Sequence, residues 1–149
     1  MMHVRKAVLT DLPYLVTFTA EEAIEAEGSI KIPETLEKGI LAALEDPAIA
    51  TYWVLVDEEN TPVGSVSAVK EWSDWNAGYY WWIQSMFLSK SYRGKGLMAL
   101  LLDAVKHEML LQKGLELRLY VHKDNHTAVN AYKKVNFSKS DYEIMVLNH

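Results

Sequence analysis

Residues 79–88, Tyr-Tyr-Trp-Trp-Ile-Gln-Ser-Met-Phe-Leu, carry apolar side chains on both parities of an extended chain. A strand of that kind must be covered on both faces, so it belongs in the middle of a layered sheet. It runs into Ser91-Tyr92-Arg93-Gly94-Lys95-Gly96, and then into Leu97, Leu100, Leu101, Ala104 and Val105, which recur at helical spacing. Buried strand, basic glycine turn and helix, in that order, gather free backbone N–H groups and the positive end of a helix dipole at one point. Gly94 and Gly96 let the backbone approach a ligand closely there, and Arg93 and Lys95 add charge, so the turn predicts an anion site. Two other phosphate loops do not fit. Lys95 is followed by Gly96 where a triphosphate loop needs Ser or Thr, and no acidic residue ends the next strand where a dinucleotide fold would hold a ribose.

The rest of the chain supplies layers for that strand. Strands are expected over residues 4–8, 51–57, 63–71, 115–121 and 142–147. Helices are expected from Thr10 or Asp11 to Glu27 with Gly28 ending the first, from Pro33 to Leu44 before Asp46-Pro47, after Gly96 up to Gly114, and from about Asn125 to Asn136. The order β-α-α-β-β-β-α-β-α-β predicts an α/β or α+β fold, with a mixed, mostly antiparallel central sheet of about six to seven strands and helices on both faces. A length of 149 residues fits a single domain over 1–149.

Composition narrows the partners. There is no cysteine, which removes disulfides, thiolate metal sites and a cysteine nucleophile, and no metal is expected. A net charge of -5 argues against a nucleic-acid binder, because phosphate contacts want a basic surface. No apolar run approaches the ~18 residues of a membrane span. The start lacks the anatomy of a secretory leader, so a cytoplasmic location without membrane contact is the expectation.

The stretch Met86 to Leu97, followed downstream by Asn-His-Thr-Ala-Val-Asn-Ala-Tyr-Lys-Lys-Val-Asn-Phe (125–137), resembles the GNAT family of N-acetyltransferases. Set against the family's pyrophosphate signature, Ser91–Gly96 matches at both glycines, and Ser91 stands where Gln or Arg is usual, leaving Arg93 or the backbone alone to meet the charge. Its second motif matches at Asn125, Ala128, Tyr132 and Phe137, with Asn136 in place of a glycine.

The resemblance implies acetyl-coenzyme A as co-substrate. Its pyrophosphate would lie on Arg93, Gly94, Lys95, Gly96, Leu97 and Met98, and its pantetheine along Met86, Phe87 and Leu88, with a backbone N–H near Met86 or Phe87 facing the thioester oxygen. Asn125 and Tyr132 would contact the coenzyme, and Tyr132 would protonate its sulfur. The implied reaction is direct attack by the amine of a small molecule, amino acid or peptide. A base is harder to place, since residues 79–88 hold no carboxylate. Glu71 or Asp74 could act through water, with Gln84 and Ser85 orienting it. Glu22, Glu71, Trp72, Asp74 and Trp75 would bind the acceptor, acid and aromatic rings suiting a cationic amine. A homodimer is expected only by analogy. The alternative is a coenzyme A-binding sensor without catalysis, motivated by the missing strand carboxylate; a nucleotide-binding module is a third.

Overall fold

A computed structural model describes residues 1–149. One five-stranded sheet runs in chain order through β1 (His3–Lys6), β2 (Thr51–Val56), β3 (Pro62–Ser73), β4 (Gly78–Leu88) and β5 (Leu117–Leu119). β1 to β4 are antiparallel, and β5 pairs parallel with β4. Four helices complete the fold: α1 (Leu12–Glu27), α2 (Pro33–Glu45), α3 (Met98–Leu111) and α4 (His126–Lys134).

Strand alternation sorts the core into two layers. Tyr52, Val54 and Val56 of β2 meet Leu15 of α1 and Ile40 and Ala43 of α2. Trp53 and Leu55 point the other way, toward Leu101, Leu102, Val105 and Met109 of α3. The expected mixed, mostly antiparallel sheet with helices on both faces is therefore the observed one.

The strand count differs. Five strands form rather than six to seven, and the strand expected at 142–147 is absent: Tyr142, Ile144, Met145, Val146 and Leu147 are exposed, outside any regular element. A strand exists only against a ladder partner. β5 itself forms over three residues rather than the expected 115–121, all paired with Trp81–Ile83. Two local expectations hold. Gly28 ends α1 in the left-handed region at φ 66°, and Asn136 takes the same region at φ 75° after α4.

Gly114 lets α3 return to the sheet. A Cβ there would meet Met109 Cγ and, at 2.8 Å, the indole of Trp81, itself only 2 % exposed. Gly114→Ala is expected to lower stability by about 1–3 kcal/mol through overpacking, read from the shift in a urea melt.

Candidate active site

The site begins at a bulge. Ser67 faces Ser85 and Ala68 faces Ile83, so Gln84 has no partner on β3. The extra residue flips the sense of the backbone beyond it. Before the bulge, Trp81 turns its N–H to Glu116 and Tyr79 its carbonyl to Leu115, on the β5 side. Beyond it, Ser89 donates to Val63 of the β3 side, so Met86 and Leu88 turn their N–H and C=O groups away from β3. β5 pairs only as far as Ile83 and does not cover them. β4, of which only Trp81, Ile83 and Phe87 are fully buried, thus carries an edge without a strand partner from Met86 to Leu88, met there only by side chains.

α1 reaches across to that edge. Its Glu22 carboxylate accepts the Met86 N–H at 2.8 Å. The Arg93 guanidinium donates to the Leu88 carbonyl at 2.7 Å and grips both oxygens of Glu25 at 2.8 and 3.1 Å. Arg93 also lies over the Phe87 ring at 5.2 Å, and Phe87 stacks on Phe18 of α1 at 5.3 Å. An aromatic stack and two charge-assisted contacts hold α1 against the β4 edge. Glu22 is half-buried, and burial pushes its carboxyl up to about 7. The Met86 N–H and the Ser85 hydroxyl pull the other way, while the charge of Glu25 adds to the rise. Tyr132, on α4, packs edge-on against Phe137 at 5.6 Å, and burial followed by the charge of Glu22 pushes its hydroxyl up to about 12. The Glu22 carboxyl and the Tyr132 phenol thus lie within electrostatic range of each other, each raised first by burial.

Beside this edge lies the basic turn. A single 3₁₀ turn, Lys90–Tyr92, leads into Gly94 and Gly96, both at φ 76°. α3 then starts at Met98 with no side chain capping its first N–H groups, and Leu97 and Met98 pack their side chains into the core. The backbone N–H groups at the start of α3 are the donors on offer, with Lys95 held over the Tyr92 ring at 5.8 Å. All three Arg93 donor nitrogens are engaged, with the Leu88 carbonyl and Glu25, while Lys95 makes no hydrogen bond to a carboxylate.

The other expected site residues scatter. Glu71 accepts from the Trp82 indole at 3.0 Å opposite Tyr80, four ladder positions or about 13 Å along the strand from the Ser67–Ser85 pair. Glu71 therefore does not reach the Met86 edge. Gln84 is exposed in the bulge, whereas Ser85 lies beside Glu22. Trp72 packs against Tyr79 and shares the α3 face of the sheet with Lys70 and Trp81, opposite the face carrying Glu71 and Trp82. Asp74 and Trp75 sit in the exposed turn before β4, with Trp75 86 % exposed. Asn125 caps α4 by accepting the Ala128 N–H at 3.2 Å. The expected acceptor set is not one cluster; of it, Glu22 alone contacts the β4 edge. No group of three or more His, Cys, Asp or Glu is placed to hold a metal ion. No helix is long and apolar enough to cross a membrane.

The sequence pattern of the acetyltransferase (GNAT) family matches residues 15–137. No curated protein matches the chain. Among solved structures, a possible acetyltransferase from Clostridium difficile superposes with a TM-score of 0.92 at 31% identity, over 100% of this chain and 98% of that one. A predicted acetyltransferase with acetyl-CoA from Clostridium acetobutylicum superposes at 0.81 with 24% identity, over 99% and 96%. A ribosomal-protein-alanine N-acetyltransferase from Brucella melitensis biovar Abortus shares the fold at 0.77 with 16% identity, over 100% of both chains.

Proposed function

The chain belongs to the GNAT acetyltransferase family, and on that premise we propose that it transfers an acetyl group from acetyl-coenzyme A to the amine of a small molecule, amino acid or peptide, by direct attack in a ternary complex. The observation that carries this reading is the uncovered edge of β4 at Met86–Leu88, lying next to the uncapped start of α3. An extended amide chain can pair with such an edge as a strand would, and a diphosphate suits the helix start. The residues present fit the group on both counts.

Acetyl-coenzyme A supplies an activated thioester; the protein supplies alignment, an oxyanion donor and proton movement. The Met86 N–H points off the edge and suits the growing negative charge on the thioester oxygen. Tyr132, held protonated, is suited to give a proton to the departing sulfur. With no cysteine in the chain, a cysteine-bound acyl group plays no part. The acceptor is best placed on the α1 side of the sheet, where Glu71 holds Trp82 and Trp82 stacks on Tyr120 at 4.5 Å.

The test is release of free thiol from acetyl-coenzyme A across a panel of amines, polyamines, amino acids and peptides. Amine-dependent release supports the reading, and binding of the coenzyme without release for any amine would favour a sensor. A second expectation concerns the turn. A side chain at position 96 meets no atom within 4 Å, but φ there is 76°, which favours glycine. Gly96→Ala is expected to cost about 1–2 kcal/mol in holding that backbone, and so to weaken acetyl-coenzyme A binding roughly tenfold, measured by calorimetry.

A further inference from the structure

We propose that Glu22 is the general base of the transfer, and that the thioester itself frees it for that role by taking over the Met86 N–H that the carboxylate caps in the free protein. The proposal rests on reading the β4 edge as the acyl site. Three observations carry it. The Met86 N–H faces the uncovered side of β4, and its partner is a Glu22 oxygen at 2.8 Å, so carboxylate and incoming carbonyl compete for one donor. The other candidate carboxylates are committed elsewhere: Glu25 is gripped by Arg93 through both oxygens, and the distant Glu71 accepts from Trp82. Finally, α1 is fixed to β4 on either side of Glu22, by the Phe18–Phe87 stack and by the Arg93–Glu25 pair, so a displaced Glu22 stays beside the reacting atoms.

The groups facing Glu22 are Glu25 on its own helix, Tyr52 of β2, Ser85 of β4 and Tyr132 of α4, and none of them is a cation. Losing the Met86 N–H removes a bond that favours the ionised carboxyl, so its pKa rises and the protein takes up protons as acetyl-coenzyme A binds. The fraction of Glu22 that stays ionised is then left beside the acceptor ammonium, without its donor and more basic than before, and that fraction grows as pH rises.

The step balances as follows. The acceptor ammonium gives one proton to Glu22, and its nitrogen forms the N–C bond to the acetyl carbon. The C–S bond breaks with its electron pair on sulfur, and the Tyr132 hydroxyl protonates that sulfur. The second proton leaving nitrogen restores Tyr132, and Glu22 returns its own proton to solvent. The sum is amide, free thiol and one proton.

Glu22→Gln tests this, because the amide oxygen can still accept the Met86 N–H and the fold is kept; a melting curve confirms that. Calorimetry of coenzyme A and acetyl-coenzyme A near pH 7, in buffers of different ionisation enthalpy, reads proton uptake directly. With acetyl-coenzyme A the expected result is fractional uptake by the parent that is absent in Glu22→Gln, with similar affinity for both proteins, and coenzyme A, which has no thioester carbonyl to compete for the Met86 N–H, serves as the control without that uptake. In turnover, kcat of the variant should fall about 10²–10⁴-fold and its acidic limb near pH 7 should vanish. Equal uptake by both proteins, or a variant that keeps the parent's rate and acidic limb, would overturn the proposal while leaving acetyl transfer standing. A parent that binds the coenzyme and releases no thiol with any amine would overturn both.

Discussion

Tyr132→Phe is expected to lower kcat for acetyl transfer by about 10²–10⁴-fold while acetyl-coenzyme A binds nearly as before. Removing one hydroxyl leaves the ring, so its edge-on contact with Phe137 and the short turn after α4 should survive. On the proposed mechanism, what is lost is the proton for the sulfur. Burial and the charge of Glu22 hold that proton on the phenol up to about pH 12, so in the parent the donor is present across the physiological range. The loss should therefore be flat with pH below that value, unlike the pH-shaped loss expected at Glu22. Comparing kcat and coenzyme affinity for parent and variant checks the point: equal losses in both would mean that the tyrosine packs the site rather than acting in it.

The largest expected effect on stability lies at the far end of α1. Asp11 is 3 % exposed and accepts both Arg5 guanidinium nitrogens, at 2.8 and 3.0 Å, and the Val8 N–H at 2.8 Å. These contacts tie the end of β1 to the start of the helix that carries Glu22. Asp11→Ala leaves the Val8 N–H and Arg5 without that acceptor. Arg5 is a quarter exposed, so water relieves part of the cost, and the expected loss is about 2–4 kcal/mol. Burial alone would raise the Asp11 carboxyl, but the Arg5 hydrogen bonds, the Val8 N–H and the Arg5 charge outweigh it and hold the pKa below the ordinary value. A lowered pKa means the stabilisation is complete above the unfolded value of about 3.9 and is lost as pH falls through the folded one. Urea melts of parent and variant should therefore differ widely at pH 7 and converge toward pH 2.

Much of this architecture was legible before any coordinates. The doubly apolar run at 79–88 places its strand inside the sheet, and the β-branched and aromatic run at 51–57 forms the expected strand, with both of its faces buried against the two helical layers. Pro33, Gly28 and Asn136 mark helix ends because each expresses a local backbone preference. The absent strand at 142–147 has strand composition, but composition cannot supply a ladder partner. At the site, Gly94 and Gly96 read as a conformationally free turn, and both take the left-handed region, whereas the Met86–Leu88 edge followed only from the family resemblance, because the bulge at Gln84 that makes it has no mark of its own in the sequence. The carboxylate that we propose as the base was not legible in that way. Glu22 was expected only as part of an acidic acceptor surface, yet it lies on the helical stripe of Leu15 and Phe18, the two buried residues of α1. A carboxylate on an apolar stripe is the signal that distinguishes it from the solvated Glu21 beside it. Glu71, expected to act through water, lies four ladder positions from the Ser67–Ser85 pair, a separation that nearness to a strand end in the chain does not reveal.

The account stands on one transfer, and a single-turnover experiment with label in the acetyl group follows it most directly. Enzyme in excess over labelled acetyl-coenzyme A, mixed with an amine that supports thiol release, should move the label to the amine in step with one equivalent of free thiol, with no labelled protein at any time. Label retained on the coenzyme, or label appearing on the protein before the amine, would contradict it.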